Sequence, residues 1–306
     1  MSDKPSQRAR RLLHGAYDTH IHVGPDVVER KIDDVSLARR FAELGMAGFI
    51  LKSHYTSTAE RAAVVRKAVP GIEALGAIAL NRAVGGLNPL AVEIAAREGA
   101  RTVWLPTVDS VNESHEREAA PGAKVPVWVR LQLDLREQGI EIEPVPVVDD
   151  AGAVLPETRE VLAMVARHGM LLATGHLGRD EIFAVVDAAR EEGVQEVVVT
   201  HPEFPSQNLS VDDQKALAEN GALLERCFTT PHTGKIAWEE WIDNIRATGP
   251  EHSVLSTDLG QIFNPEVEDG MGLMVDRLLD AGLDEEEVRV MAVDNTRRVA
   301  GKAGNP

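Results

Sequence analysis

Short apolar runs alternate with stretches of helical periodicity along nearly the whole of this 306-residue chain, and few folds accept that rhythm. The run 16–22 reads as a strand. D-D-V-S-L-A-R-R-F-A-E-L, from Asp33, has helical spacing, an acidic start and Gly45 behind it. Strands over 47–54, 72–80 and 101–108 follow, with helices over 57–68 and 89–98. The series continues with helix 156–168, strand 170–176, helix 179–192, strand 196–201 and helix 211–220. Strand 222–227, helix 235–247, strand 253–258 and a helical pair over 268–303 complete it. Eight strand–helix units predict a parallel sheet closed on itself, a (β/α)8 TIM barrel of class α/β. An open doubly wound sheet is disfavoured, because no G-x-G-x-x-G follows the first strand.

The rhythm breaks over 109–155, where no clean helix is expected. V-P-V-W-V and I-E-I-E-P-V-P-V-V read as extended, and D-D-A-G has hairpin-turn chemistry, so this stretch is predicted to be an insertion on the barrel rim. Residues 16–306 then form one barrel domain. Residues 1–15, basic at positions 8, 10 and 11, are expected to be a solvated extension.

Composition narrows the function classes. Lys plus Arg number 32 against 49 Asp plus Glu, a net charge of −17 that disfavours nucleic acid and anionic membranes as partners. A single cysteine, Cys227, rules out an internal disulfide and a Cys-rich zinc framework. The start lacks the apolar stretch of a secretory signal, and no run approaches the roughly 20 apolar residues of a membrane span. A cytoplasmic protein acting on a small molecule, assembled as a homo-oligomer, is the expectation.

Barrel chemistry sits at the C-terminal ends of the strands. There the first strand carries His20-Ile21-His22, whose imidazoles share a face because side chains alternate. The second ends in Lys52-Ser53-His54, the fifth in His176, the sixth in His201 and the eighth in Asp258. Imidazoles and a carboxylate converging from separate strands are costly to bury unless a divalent cation neutralises and orders them. His14, His115, His168, His232 and His252 lack this placement.

This pattern, H-x-H on strand one, His on strands five and six and Asp on strand eight, resembles the amidohydrolase superfamily of metal-dependent β/α barrels. The resemblance runs from Asp18 to about Asp258, and D-N-T-R-R-V-A-G is similar to the family's closing helix. It implies Zn2+, or another divalent ion such as Mn2+, activating water, with one or two ions per chain. By the resemblance His20, His22 and Asp258 hold one ion. His176 and His201 hold a second, or His176 joins the first site while His201 polarises the substrate. Asp258 would accept the attacking water's proton and return it to the leaving group. The chain departs from the family on strand four, where R-T-V-W-L-P-T-V offers no lysine to carboxylate. Lys52 could supply that bridge from strand two, or bind a substrate carboxylate as a cation.

His54, Arg82 and Arg226 are further candidates for substrate contact. Asn112, His115, Glu203 and Phe204 read equally well as loop residues, and Trp104 and Trp128 as packing. The function expected is hydrolysis of an amide, cyclic amide or related C–N bond. A lactonase, phosphoesterase or non-oxidative decarboxylase on the same barrel, or a metal-binding protein without turnover, are the alternatives.

Overall fold

The structure is a computed structural model that describes residues 4–114 and 127–301. In chain order its first half contains α1 (Gln7–Leu12), β1 (Tyr17–Ile21), α2 (Asp34–Glu43), β2 (Gly48–Leu51), α3 (Ala59–Ala68) and β3 (Glu73–Ala79). Then come α4 (Pro89–Arg97), β4 (Ala100–Trp104), α5 (Val111–Ser114), α6 (Val127–Glu137), α7 (Pro156–Arg167) and β5 (Leu171–Ala173). α8 (Arg179–Glu191), β6 (Glu196–Val199), α9 (Val211–Glu219), β7 (Leu223–Cys227), α10 (Thr229–His232) and α11 (Trp238–Thr248) follow. β8 (Ser253–Ser256), α12 (Val267–Asp280), α13 (Glu285–Arg289), a π-helical turn (Val290–Asp294) and α14 (Asn295–Val299) end it.

The eight strands pair in parallel in the order β1 to β8. The last joins the first at the mouth, where Asp258 N–H donates to the His20 carbonyl at 2.8 Å and His22 N–H to the Leu259 carbonyl at 2.7 Å. The (β/α)8 barrel expected from the alternation is therefore the fold. Capping shows why the helices start where they do. Asp33, Asn88, Ser210 and Asp284 each accept a backbone N–H of the first turn, and Pro89 and Pro156 open their helices at a position that needs no donor.

Strand periodicity divides the apolar residues. Leu37, Phe41, Phe49 and Leu51 join the core between strands and helices, as do Val197, Val199 and Leu224 on the other side. The barrel interior is filled by Ile50, Ala77, Ala79, Trp104 and Ala173 in one cluster and by Leu171, Val198, Leu223 and Val254 in another. The alanines leave room for the indole of Trp104.

Two expectations are corrected. The basic opening is not a solvated extension over its described part: Ala9 and Leu13 are buried, and α1 packs against α12. Lys4 reaches Asp269 at 2.6 Å and Arg8 reaches Glu285 at 2.7 Å, with Arg10 also on Asp269, so the cations meet acids of α12 and α13. The rim insertion does contain a helix, α6, in which Val129 and Gln132 are buried at helical spacing. Its β-branched start, read as extended, is overridden by tertiary packing. The Asp149–Gly152 turn brings Val148 and Val154 into an antiparallel bridge. Among the described residues no helix is long and apolar enough to cross a membrane.

Candidate metal centre

Continuing each strand's alternation shows which side chains enter the mouth. On β1 the inward parity is that of Asp18, His20 and His22, while Ile21 joins the outer core. Just past β2, Lys52 and His54 keep the inward parity of Ile50, and Asp258 keeps that of Val254. His176 and His201 have the wrong parity, since Leu171, Ala173 and Val198 face inward. The chain corrects both with left-handed backbone, Gly175 at φ 65° and His201 at φ 27°. A side chain at Gly175 would overlap the carbonyl oxygens of Leu105 and Pro106, so only glycine permits that turn. Asp258 is also left-handed, at φ 53°. Non-glycine residues held in this region are a mark of functional sites.

The result is a chain of rings. Centroids lie 5.3 Å apart for His20–His22, 4.8 Å for His22–His54, 5.9 Å for His54–His176 and 5.1 Å for His176–His201. His201 returns to within 6.1 Å of His20. Asp258 Oδ1 is 3.3 Å from His20 Nε2 and 3.2 Å from His22 Nε2, and its Oδ2 accepts from the Thr229 hydroxyl at 3.0 Å. Lys52 Nζ is 2.9 Å from His20 Nε2 and lies over the Trp104 ring at 5.1 Å. On the far side of His20, Nδ1 is 3.1 and 3.2 Å from the two carboxylate oxygens of Glu225.

Two of the other rings, His54 and His201, are anchored through the same atom. Nδ1 of His54 is 2.9 Å from the Thr107 hydroxyl, and Nδ1 of His201 is 3.1 Å from the side-chain oxygen of Gln207. Nδ1 of His176 is 2.9 Å from Glu113 Oε1 but out of line for a hydrogen bond, while its carbonyl accepts from Ser110 and Asn112. His22 Nδ1 is buried with no hydrogen-bond partner among the described residues.

Burial and neighbouring charge set the electrostatics. Desolvation pushes His22, His54 and His176 well below the usual imidazole range, and His201 down to about 3. Burial also lowers the Lys52 ammonium, against the pull of Asp258 and Glu225. For Asp258 burial works upward, yet the charges of His20, His22 and Lys52 outweigh it and hold the carboxyl well below its ordinary value. Burial thus disfavours the charged form of His22, His54, His176 and His201, beside a carboxylate held ionised at Asp258.

Those donors fit a divalent cation. Ligand atoms of His20, His22 and Asp258 all lie within 4.8 Å of one another. Ligands about 2.1 Å from a tetrahedral zinc stand about 3.4 Å apart, close to the 3.2 and 3.3 Å found here around Asp258 Oδ1. Two imidazole nitrogens and one carboxylate oxygen form a donor set of borderline hardness that suits zinc and its neighbours.

Several sequence candidates lie elsewhere. Arg226 is fully buried on the outer face of β7, bonded to Glu203, Gln214, Thr248 and Ser253, because it alternates with the inward Glu225 and Cys227. It is not brought to the site, and neither is its partner Glu203. Arg82 spends its guanidinium on the rim, donating to the carbonyls of Glu143 at 2.8 Å and Pro144 at 2.6 Å. Phe204 sits 4.9 Å from the His201 ring and Trp128, on α6, 6.3 Å from His176, so both border the centre. His115 lies outside the described residues. Sequence reasoning missed Glu225, Thr229, Glu113, Gln207 and Thr107. For Glu225 the signal was present: in L-L-E-R-C, period two pairs it with Cys227 and opposes it to Arg226.

A sequence profile of the Family of unknown function (DUF6282) matches residues 15–225. Among curated proteins none matches the sequence. Solved structures do. An amidohydrolase from Pseudomonas aeruginosa superimposes with TM-score 0.62 at 14% identity, covering 96% of this chain and 98% of its own. The metallopeptidase dipeptidase AC gives 0.58 at 16%, covering 95% and 99%. An amidohydrolase from Burkholderia multivorans with bound zinc gives 0.55 at 12%, covering 94% and 99%. At these identities the likeness is one of fold, and it is the fold that the histidine pattern implied.

Proposed function

This chain belongs to the Family of unknown function (DUF6282), and from that premise we propose that it is a metal-dependent hydrolase cleaving an amide, cyclic amide or related C–N bond of a small molecule. One observation carries the reading: four strands deliver His20, His22, His176, His201 and Asp258 to one mouth, and Asp258 Oδ1 stands 3.2 and 3.3 Å from two imidazole nitrogens. Among the solved neighbours the names amidohydrolase and dipeptidase favour a C–N bond, the name 2-pyrone-4,6-dicarboxylic acid hydrolase favours the lactonase alternative, and the zinc in one of them favours that ion here.

His20, His22 and Asp258 would hold the ion. His176 and His201 would hold a second or complete the first, since Nδ1 of His201 is taken by Gln207 and its Nε2 is left to ligate. Bound there, zinc supplies water of lowered pKa, a nucleophile at neutral pH. The residues do the rest. Asp258, ionised and oriented by Thr229, accepts the proton of the attacking water and delivers it to the departing nitrogen, so that a neutral amine leaves. Lys52, buried against His20 Nε2, serves as a carboxylated bridge between two ions or as the cation for a substrate carboxylate. His54 and Trp128 line the approach.

Elemental analysis per chain, followed by turnover with Zn2+, Mn2+ or Co2+ restored to metal-free protein, tests the reading. The panel comprises cyclic amides, N-acyl amino acids and dipeptides, with lactones and phosphodiesters for comparison. Metal-dependent release of an amine is expected. Full metal occupancy with no C–N cleavage anywhere in the panel overturns it.

A further inference from the structure

We infer that Glu225 is the positioning residue of the metal centre: its carboxylate holds His20 as the Nδ1–H tautomer and so aims Nε2 at the cation. The inference rests on the metal-dependent reading above. Its basis is geometric. Glu225 meets His20 Nδ1 with both oxygens, at 3.1 and 3.2 Å, and both residues are almost wholly withdrawn from solvent. A carboxylate in a barrel interior needs a compensating donor, and the strand offers it none of its own. From β1, two strands away, His20 is the donor.

The pairing has three consequences. An imidazole bonded through Nδ1–H carries its lone pair on Nε2, the atom that faces Asp258 at 3.3 Å and Lys52 at 2.9 Å. Hydrogen bonding to an anion raises the basicity of the ligating nitrogen and fixes the ring's rotation. Finally, Glu225 and Asp258 together match the charge of a divalent ion, which neither does alone. His22 has no such partner among the described residues. Of the H-x-H pair, His20 is therefore the one whose orientation the protein specifies, and it does so from β7, two strands from the one that carries the histidine.

A rival arrangement uses the same atoms. Cys227, on the same face of β7, places Sγ 3.8 Å from His20 Nδ1, so His20, Glu225 and Cys227 could themselves grip an ion. The observed contact argues against it, because the Glu225 carboxylate already engages Nδ1 at hydrogen-bond distance. Cys227 Sγ in turn pairs with the Ser256 hydroxyl at 3.3 Å.

The experiment measures zinc affinity of the full chain by competition with a chromophoric chelator, for the wild type, Glu225→Gln and Glu225→Ala. Glu225→Gln keeps an acceptor of the same shape and loses the charge. We expect it to weaken zinc about tenfold and Glu225→Ala by up to about a hundredfold, the range for partners of metal-bound histidines. Unfolding of the metal-free proteins serves as the structural control, with Glu225→Gln expected to melt near the wild type. Cobalt substitution gives a second readout: no thiolate-to-cobalt charge-transfer band in the wild type, and a shift of the ligand-field bands in Glu225→Gln. Wild-type zinc affinity in both variants overturns the positioning role while leaving the hydrolase reading intact. A thiolate band abolished by Cys227→Ser overturns it in favour of direct ligation. Failure of the wild type to bind zinc at all overturns the metal-dependent reading itself.

Discussion

Gly260 packs directly against the carbonyl of His22, in space that any side chain would fill by overlapping the oxygen. This contact lies on the seam where β8 meets β1, so it sets how closely Asp258 approaches the H-x-H pair. The backbone at Gly260 is also strained for other residues, at φ 135°. Gly260→Ala should cost more than about 2 kcal/mol, combining left-handed strain with a main-chain clash that no rotamer relieves. Chemical denaturation of the metal-free protein checks this, and zinc affinity should fall with stability. A variant that folds and binds zinc like the wild type would show that the seam does not set the site.

His22→Ala should remove most of the bound metal and abolish turnover while the barrel melts within a few degrees of the wild type. The side chain sits past the end of β1 and packs on His54 and His20, outside the apolar clusters of the core. Elemental analysis and circular dichroism read the two effects separately. Retained activity would remove His22 from the centre.

Asp258→Asn should reduce turnover by about 10²–10⁴-fold, the usual worth of a positioned acid–base, while a good part of the metal is retained. Asparagine tolerates the left-handed backbone that position 258 requires, so the fold is not at issue. Single-turnover kinetics on zinc-loaded protein provide the measurement, and an unchanged rate would exclude Asp258 as the proton carrier.

Arg226 belongs to stability. Its guanidinium and Glu203 form a buried ion pair outside the barrel, in which desolvation lowers the arginine and raises the glutamic acid from their ordinary ranges. Arg226→Met should cost about 3–5 kcal/mol by leaving Glu203 buried without its cation, and pairing it with Glu203→Gln should recover much of that. Urea midpoints would show the loss, and metal per folded chain should not change. A normal midpoint with lost substrate binding would return Arg226 to the site.

The barrel and most of the centre were legible in the sequence because two periodicities are hard to disguise. Apolar runs between amphipathic helices predict the sheet, and polar residues at the ends of such runs predict the mouth. What escaped was tertiary. Glu225 sits inside a strand rather than at its end, and its meaning depends on His20 two strands away. Arg226 and Arg82 read as free cations because sequence shows a charge but not its partner. The turn of His176 and His201 into the mouth against their strand parity rests on left-handed backbone at Gly175 and His201, which no alternation pattern encodes. The helix α6 was hidden by β-branched residues that favour strands in isolation.

The rim is fastened to the barrel largely by groups every amino acid possesses. Arg82 grasps the carbonyls of Glu143 and Pro144, Val145 N–H donates to the carbonyl of Asp109, and Gln132 caps the carbonyl of Val108. The exposed Glu143 side chain can therefore change without loosening the wall it belongs to, whereas Val145 is held by burial as well. Such an anchorage puts the grip on the wall in the main chain at 143 and 144, so an exchange of Glu143 leaves that fastening in place.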